Sequence, residues 1–366
     1  MKKPKKPKKN KIGKKKKVLV AMSGGIDSTY TTYLLKKNYE VIGVHFLIPG
    51  QKQNNLKHLA QKLKIKLKVI DLRKEFKSKV IKKIIQEYQK GFTPNPCIFC
   101  NRIFKFKYLF DLKDKFKCDY IATGHYVRKI KINNQVFLKK ALDKKKDQSY
   151  FLFNISRYNL AKILFPLGDY QKEEVKKRML KLKIFGDYFK NLKESSGLCF
   201  LKDSLNQFLA SQIQSKKGKI VDINSNQVLG KHQGLVFYTI GQREGIGVGE
   251  KGPYYVIQKD YLKNRLYVSN IGDDKRLFLN KLTLKIDDFN ANNIFKFYNK
   301  GKQEIFIKIR YGQPEQLVHE IKLLDSKNKI FEIKIKNKLR ALTQGQFGVF
   351  YTKNQVVLGG GKIVDN

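Results

Sequence analysis

The chain has 366 residues, with 78 Lys and Arg against 30 Asp and Glu, a formal net charge of +48 and 41% hydrophobic residues. That length predicts two or three domains, the apolar content allows sizeable cores, and the charge points to a polyanionic partner, nucleic acid before anionic membrane. Four cysteines exclude a disulfide scaffold and suggest a reducing compartment, and no apolar run approaches the roughly eighteen residues of a membrane span, so a cytoplasmic protein is expected.

Residues 1–16 are almost all Lys, broken by Pro4, Pro7 and Gly13. They lack the apolar stretch of a secretory signal and the Arg and Ser of a transit peptide, and read as a disordered basic arm. Strands are predicted at Val18 to Met22, Val41 to Ile48, Leu67 to Leu72 and Tyr120 to Thr123. Between them lie helical patterns at Ser28 to Lys37, Leu56 to Leu63 and Phe76 to Tyr88, the last with Phe76, Val80, Ile84 and Tyr88 on one face. The alternation predicts a parallel α/β sheet with its ligand beyond the carboxyl ends of the strands. There the first strand breaks into Ser23-Gly24-Gly25-Ile26-Asp27-Ser28. Glycines allow close backbone approach, and a helix N-terminus offers unpaired N–H groups, so the turn suits a phosphate. Asp27 is out of place beside an anion unless it holds a metal ion or orients the attacked group.

Thr93-Pro94-Asn95-Pro96-Cys97-Ile98-Phe99-Cys100 then predicts an extended path, with Cys-x-x-Cys entering a helix over Ile103 to Phe116. Ala122-Thr123-Gly124-His125-Tyr126 is a second glycine turn after a strand. Gln135 to Leu142 reads as a hairpin strand, Asn159 to Ile184 as helical, and Cys199 follows the small run Ser195-Ser196-Gly197. From about residue 215 short alternating runs bounded by Gly, Asn and Asp replace the helices, among them Gly218 to Ile223, Tyr254 to Gln258, Lys281 to Ile286, Glu304 to Arg310 and Ile330 to Ile335. The expected division is 17–212 for the α/β domain, 213–274 for a small central β domain and 275–366 for a C-terminal β-barrel. Cys118, just before a strand, reads as core.

Ser-Gly-Gly-x-Asp-Ser after a strand resembles the phosphate turn of the N-type ATP pyrophosphatases, which split ATP to AMP and pyrophosphate. Taken with Thr93 to Pro96, Cys100-Asn101, Lys146-Asp147-Gln148-Ser149-Tyr150-Phe151-Leu152, Phe165 to Gly168, Ser196 to Phe200, Tyr238 to Arg243 and Leu358 to Gly361, the chain resembles the tRNA-specific 2-thiouridylase family. The resemblance implies adenylation of the C2 oxygen of a wobble uridine, then attack by persulfide sulfur. It implies Cys199 as persulfide carrier and Cys100 as the second catalytic cysteine. For ATP it implies Ala21, Met22, Ser23, Gly24, Gly25, Ile26, Asp27, Ser28, Phe46 and Gly124, with Asp27 reaching Mg²⁺. Asn95, Pro96, Cys97 and His125 are implied near the target base, and Lys146, Asp147, Gln148, Arg310, Tyr311 and Gln346 on the tRNA. The expected partners are tRNA and a cysteine desulfurase or sulfur-relay protein.

Cys97 departs from the family's commoner Asp-x-x-Cys. It opens the alternative of a [4Fe-4S] cluster on Cys97, Cys100 and Cys199, since thiolates are the usual ligands of such clusters. Two other readings are a different ATP pyrophosphatase ligase, which needs neither Cys100 nor Cys199, and a basic RNA-binding protein that has lost its chemistry.

Overall fold

The computed structural model describes residues 15–51, 55–185, 188–189, 197–201, 204–248, 252–286, 294 and 304–365. Most of the Lys arm, residues 1–14, lies outside the described residues, as does Ser196. The N-terminal strands are β1 (Lys17–Ala21), β2 (Glu40–Leu47), β3 (Lys66–Asp71), β4 (Tyr120–Ala122), β5 (Arg128–Ile132), β6 (Gln135–Lys139) and β7 (Ile163–Leu164). The main sheet runs β3-β2-β1-β4-β7, every pair parallel. β1 is central and needs apolar residues on both faces; Val18, Leu19 and Val20 have no exposed surface. Strand order reverses between β1 and β4, so the crevice beyond their carboxyl ends is the expected ligand position. The turns beginning at Met22 and Thr123 both open there.

Helix α1 (Ile26–Lys36) follows the first turn and α2 (Leu56–Lys62) lies between β2 and β3. The next helical stretch runs from α3 (Arg73–Phe76) through a π-helical segment, Lys77–Ile81, into α4 (Lys82–Gln89). Its expected face is the buried one, with Phe76, Val80, Ile84 and Tyr88 packed in one cluster. A second interrupted helix starts earlier than predicted. It comprises α5 (Pro96–Cys100), the π-helical segment Asn101–Lys105 and α6 (Phe106–Lys115). Asn95 caps it by accepting from the Ile98 N–H at 3.3 Å, and Pro96 sits at the first helical position, where its missing N–H costs nothing. The predicted helix over Asn159 to Ile184 is instead α7 (Arg157–Ala161), the two-residue strand β7, a turn and α8 (Lys172–Leu180). Phe165 to Gly168 forms part of that turn, and so short an edge strand leaves no alternation to read. Cys118 is buried, as expected.

After α9 (Leu205–Gln212) come β8 (Gly218–Asp222), β9 (Val228–His232), β10 (Tyr255–Asp260) and β11 (Arg265–Ser269), a sheet in the order β10-β11-β8-β9. The C-terminal strands are β12 (Phe278–Ile286), β13 (Ile305–Lys308), β14 (Gln316–Asp325), β15 (Ile330–Arg340), β16 (Phe347–Thr352) and β17 (Val357–Asp365), closed into a barrel in the order β12-β15-β14-β13-β16-β17. The barrel shares a core with the first domain: Phe347, Val349, Tyr351 and Val357 pack with Leu109, Ile121, Tyr150 and Phe153. At that seam the Tyr150 hydroxyl donates to the Phe347 carbonyl at 2.9 Å. The fold is therefore α/β, with a parallel-sheet domain, a small central β domain and a C-terminal barrel.

Candidate active site

The turn between β1 and α1 is held by its own residues. Gly24 has φ +87°, a conformation that glycine adopts without steric cost. The Ser28 hydroxyl accepts from the Ser23 N–H at 3.1 Å and lies 3.2 Å from the Ser23 hydroxyl, and the Thr29 hydroxyl donates to the Gly25 carbonyl at 2.9 Å. Gly124 faces this turn from β4. A Cβ on it would stand 3.0 Å from the Asp27 carbonyl carbon and the Ser28 nitrogen, so any larger residue would push the two loops apart. Ala21 and Met22 close the end of β1, and Ile26 is buried under the helix start.

Asp27 does not stand free beside an anion. Lys172, the first residue of α8, places its ammonium 2.8 Å from each carboxylate oxygen, and the Tyr126 hydroxyl donates to Oδ1 at 2.8 Å. Lys172 is buried and its backbone N–H donates to Asp143 at 2.9 Å. Neither Lys172 nor Tyr126 was identified from the sequence as a site residue. The motif Gly124-His125-Tyr126 and the run Gly168-Asp169-Tyr170-Gln171-Lys172 meet here only through the fold.

Asp147 is also placed differently from expectation. It is buried, and accepts from Ala141 N–H at 2.9 Å and from the Ser149 hydroxyl at 2.7 Å, so its carboxylate shapes the loop instead of facing RNA. Gln148 joins that loop to the second glycine turn by accepting from Tyr126 N–H at 3.0 Å while its own N–H donates to the Tyr126 carbonyl at 2.8 Å. Lys146 is exposed. His125 lies 2.7 Å from the Thr123 hydroxyl and stacks on Phe106; burial, helped by the positive charge of Lys105, holds its pKa well below the usual range, so the ring is neutral.

The sulfur side is drawn from distant segments. One apolar cluster takes in Phe46 at the end of β2, Cys100, and both neighbours of Cys199, Leu198 and Phe200. Phe46 also meets Phe104 edge-on. Cys97 and Cys100 are partly buried and Cys199 is exposed, all as free thiols. Burial pushes the Cys100 thiol up to about 12, and Cys97 and Cys199 also rise through burial; although Cys199 is exposed as a residue, enough protein surrounds its thiol for this. The three sulfurs are near enough to affect each other, since negative charge on Cys199 raises both Cys97 and Cys100. The Lys105 ammonium opposes the rise at all three. Among the described residues, no three His, Cys, Asp or Glu side chains are arranged to hold a metal ion. Cys97 and Cys100 from one helix and Cys199 from a separate segment are present as free thiols.

The loop leading to these cysteines is gripped by both other domains. From the barrel, the Gln344 carbonyl accepts from Thr93 N–H at 2.9 Å and the Gln346 side chain donates to the Thr93 carbonyl at 2.8 Å. From the central domain, Lys259 donates to the Gly91 carbonyl at 2.8 Å and the Thr239 hydroxyl lies 3.3 Å from that of Thr93. Arg310 donates to the Thr343 hydroxyl at 3.0 Å, and Tyr311 packs on Phe151 with centroids 4.6 Å apart.

A glycine turn at the switch point of a parallel sheet, a group of free thiols gathered near the end of the neighbouring strand β2, and two appended β domains are the features of an enzyme built on a nucleotide-binding type of α/β domain. The family models that match are the tRNA methyl transferase HUP domain over residues 16–203, the tRNA methyl transferase PRC-barrel domain over 206–270 and the aminomethyltransferase beta-barrel domain over 282–363. Curated relatives named tRNA-specific 2-thiouridylase MnmA include that of Mycoplasma mycoides subsp. mycoides SC, 40% identical over 95% of this chain and 98% of the relative. Those of Mesoplasma florum and Nitratiruptor sp. are 38% and 37% identical, each over 95% of this chain and 99% of the relative. The chain belongs to the tRNA-specific 2-thiouridylase family.

Proposed function

We propose that this chain is a tRNA 2-thiouridylase, which uses ATP to adenylate the C2 oxygen of a wobble uridine, releases pyrophosphate, and then replaces that oxygen with sulfur as AMP leaves. The observation that carries the reading is the single cluster joining Phe46, Cys100 and the flanks of Cys199 at the carboxyl edge of the sheet. A uridine carbonyl has no usable leaving group until its oxygen carries AMP, and sulfur must arrive as a better nucleophile than water.

In the first step the Ser23 to Ser28 turn and the N-terminus of α1 take the phosphates, Phe46 meets the adenine, and Gly124 leaves room for the nucleotide beside Asp27. Mg²⁺ bound with the phosphates would screen their charge. The Asp27 oxygens already accept from Lys172 and Tyr126, so we assign Asp27 the positioning of Lys172 and no step through the metal. In the second step the Cys199 thiolate takes the terminal sulfur of a donor persulfide and the donor leaves as thiolate. The Cys100 thiolate then attacks Cys199 Sγ, forming a disulfide and expelling hydrosulfide, which displaces AMP from C2. A thiol reductant returns two electrons to the disulfide before the next turnover. The donor is a cysteine desulfurase or its relay protein, since nothing in the chain resembles a module that mobilises sulfur.

Asn95, Pro96, Cys97 and the neutral His125 surround the target base, which must leave its stack to be reached. Lys146, Gln148, Arg310, Tyr311 and Gln346 serve the body of the RNA, where cations meet phosphates and rings stack on bases. Asp147 supports that surface from inside. The working domain limits are 17–212, 213–274 and 275–366, and the compartment is the cytoplasm.

The test is an ATP-dependent thiolation assay on unmodified tRNA, run beside Cys199→Ser. 2-Thiouridine made by the wild type and not by the variant supports the reading; equal product from both sinks it. Anaerobic preparation and iron analysis check the thiol mechanism, which expects full activity without iron.

A further inference from the structure

We propose that Asp143 is a positioning residue through which RNA bound on one loop prepares the ATP turn, so that adenylation waits for its substrate; this deepens the thiolation reading and rests on it. The loop over residues 143–148 carries Lys144, Lys145 and Lys146, all exposed, between the buried Asp143 and Asp147. The Asp143 carboxylate is shared between two tasks. Its Oδ1 accepts from the Lys145 and Lys146 N–H groups at 3.0 and 3.2 Å, and its Oδ2 accepts from the Lys172 N–H at 2.9 Å. One side chain therefore shapes the lysine turn and fixes where α8 starts. The residue at that start is the one whose ammonium lies 2.8 Å from both Asp27 oxygens.

The far end of the loop reaches the same carboxylate by a second route. Gln148 exchanges two hydrogen bonds with Tyr126, accepting from its N–H at 3.0 Å and donating to its carbonyl at 2.8 Å, and the Tyr126 hydroxyl donates to Asp27 at 2.8 Å. Lys172 and Tyr126, which hold Asp27, are thus each anchored through their own backbone to one loop. Three successive ammonium groups repel one another, and the loop keeps its shape against that repulsion by the bonds its two buried aspartates accept. With those bonds released, Lys172 and Tyr126 lose their anchors and Asp27 meets the phosphates uncompensated, which like charges disfavour. An RNA phosphate among the lysines relieves the repulsion and so favours the bonded form, which is the form that suits ATP. By linkage, ATP must then tighten RNA binding by the same factor.

The test is a binding cycle on the full chain with unmodified tRNA and an ATP analogue bridged by methylene between the α- and β-phosphates, which cannot release pyrophosphate. The dissociation constant of the analogue is measured with and without saturating tRNA. The proposal expects tRNA to tighten the analogue by at least about fivefold in wild type and by less than about twofold in Asp143→Ala. The ratio is the readout because a merely structural defect weakens each ligand without making their effects independent. If thermal melting shows that Asp143→Ala does not fold, Gln148→Ala, which cuts the Tyr126 route alone, takes its place. Gln148→Glu, which keeps the accepting oxygen, should restore the wild-type ratio. A wild-type ratio in the folded Ala variant, or no coupling in wild type, would overturn the proposal. Coupling as expected in a chain that makes no 2-thiouridine would overturn the functional reading alone.

Discussion

In the phosphate turn the serines, glycines and Thr29 satisfy one another within a few residues of chain, and a buried lysine and a tyrosine fix the one carboxylate. The sulfur site has no such closed network. Cys97 and Cys100 sit on a helix whose entry loop is held by the barrel and the central domain, and Cys199 arrives from a separate segment. The difference fits the two kinds of chemistry. Phosphate binding needs donors already in place, whereas sulfur relay needs groups that approach one another in turn. The first site is held by local sequence, and the second answers to the two β domains that grip its entry loop.

The largest effect should separate the halves outright. Cys199→Ser is expected to lower 2-thiouridine formation by on the order of 10³-fold or more while tRNA-dependent pyrophosphate release continues, because the nucleophile is lost and the turn is untouched. Parallel loss of both would mean that the two sites are not independent. Gly124→Ala attacks the other half. The added methyl would meet Asp27 and Ser28 backbone at 3.0 Å, and overpacking of that kind costs about 1–3 kcal/mol. Pyrophosphate release should fall about 10–100-fold, with the alkylation rate of Cys199 unchanged.

The next contrast is in pH. All three thiols are raised above the ordinary value by burial, so the thiolate fraction grows as pH rises through neutrality. Sulfur transfer under single-turnover conditions should therefore climb by up to about tenfold per pH unit between pH 7 and 9. His125, already neutral, contributes no step near pH 6.5. A bell centred near pH 6.5 would contradict this assignment. The smallest effect is expected at the seam. Gln346→Ala removes one hydrogen bond to the Thr93 carbonyl, worth about 0.5–1.5 kcal/mol, and should slow sulfur transfer a few-fold without altering ATP affinity.

The same contrast explains what could be read from the sequence. The phosphate turn was legible because its donors are contiguous, and the buried face of the α3–α4 stretch because its spacing is helical. Lys172 was not, since its tie to Asp27 spans 145 positions and depends on how α8 crosses α1. The internal use of Asp147 was hidden because a buried and an exposed aspartate look alike in a Lys-rich loop. The π turn at Asn101–Lys105 was hidden too, since nothing in Asn101-Arg102-Ile103-Phe104-Lys105 marks it against ordinary helix. The two-residue β7 was too short to carry a period.

The central claim, that ATP activation and thiol transfer are successive acts of two joined sites, is tested most directly by separating them in time. Wild-type protein is incubated with ATP and unmodified tRNA without a sulfur donor, and a persulfide donor is added afterwards. The account predicts pyrophosphate release in the first phase and, in the second, 2-thiouridine and AMP in equal amounts. 2-Thiouridine formed without ATP, or formed equally by Cys199→Ser, would contradict it.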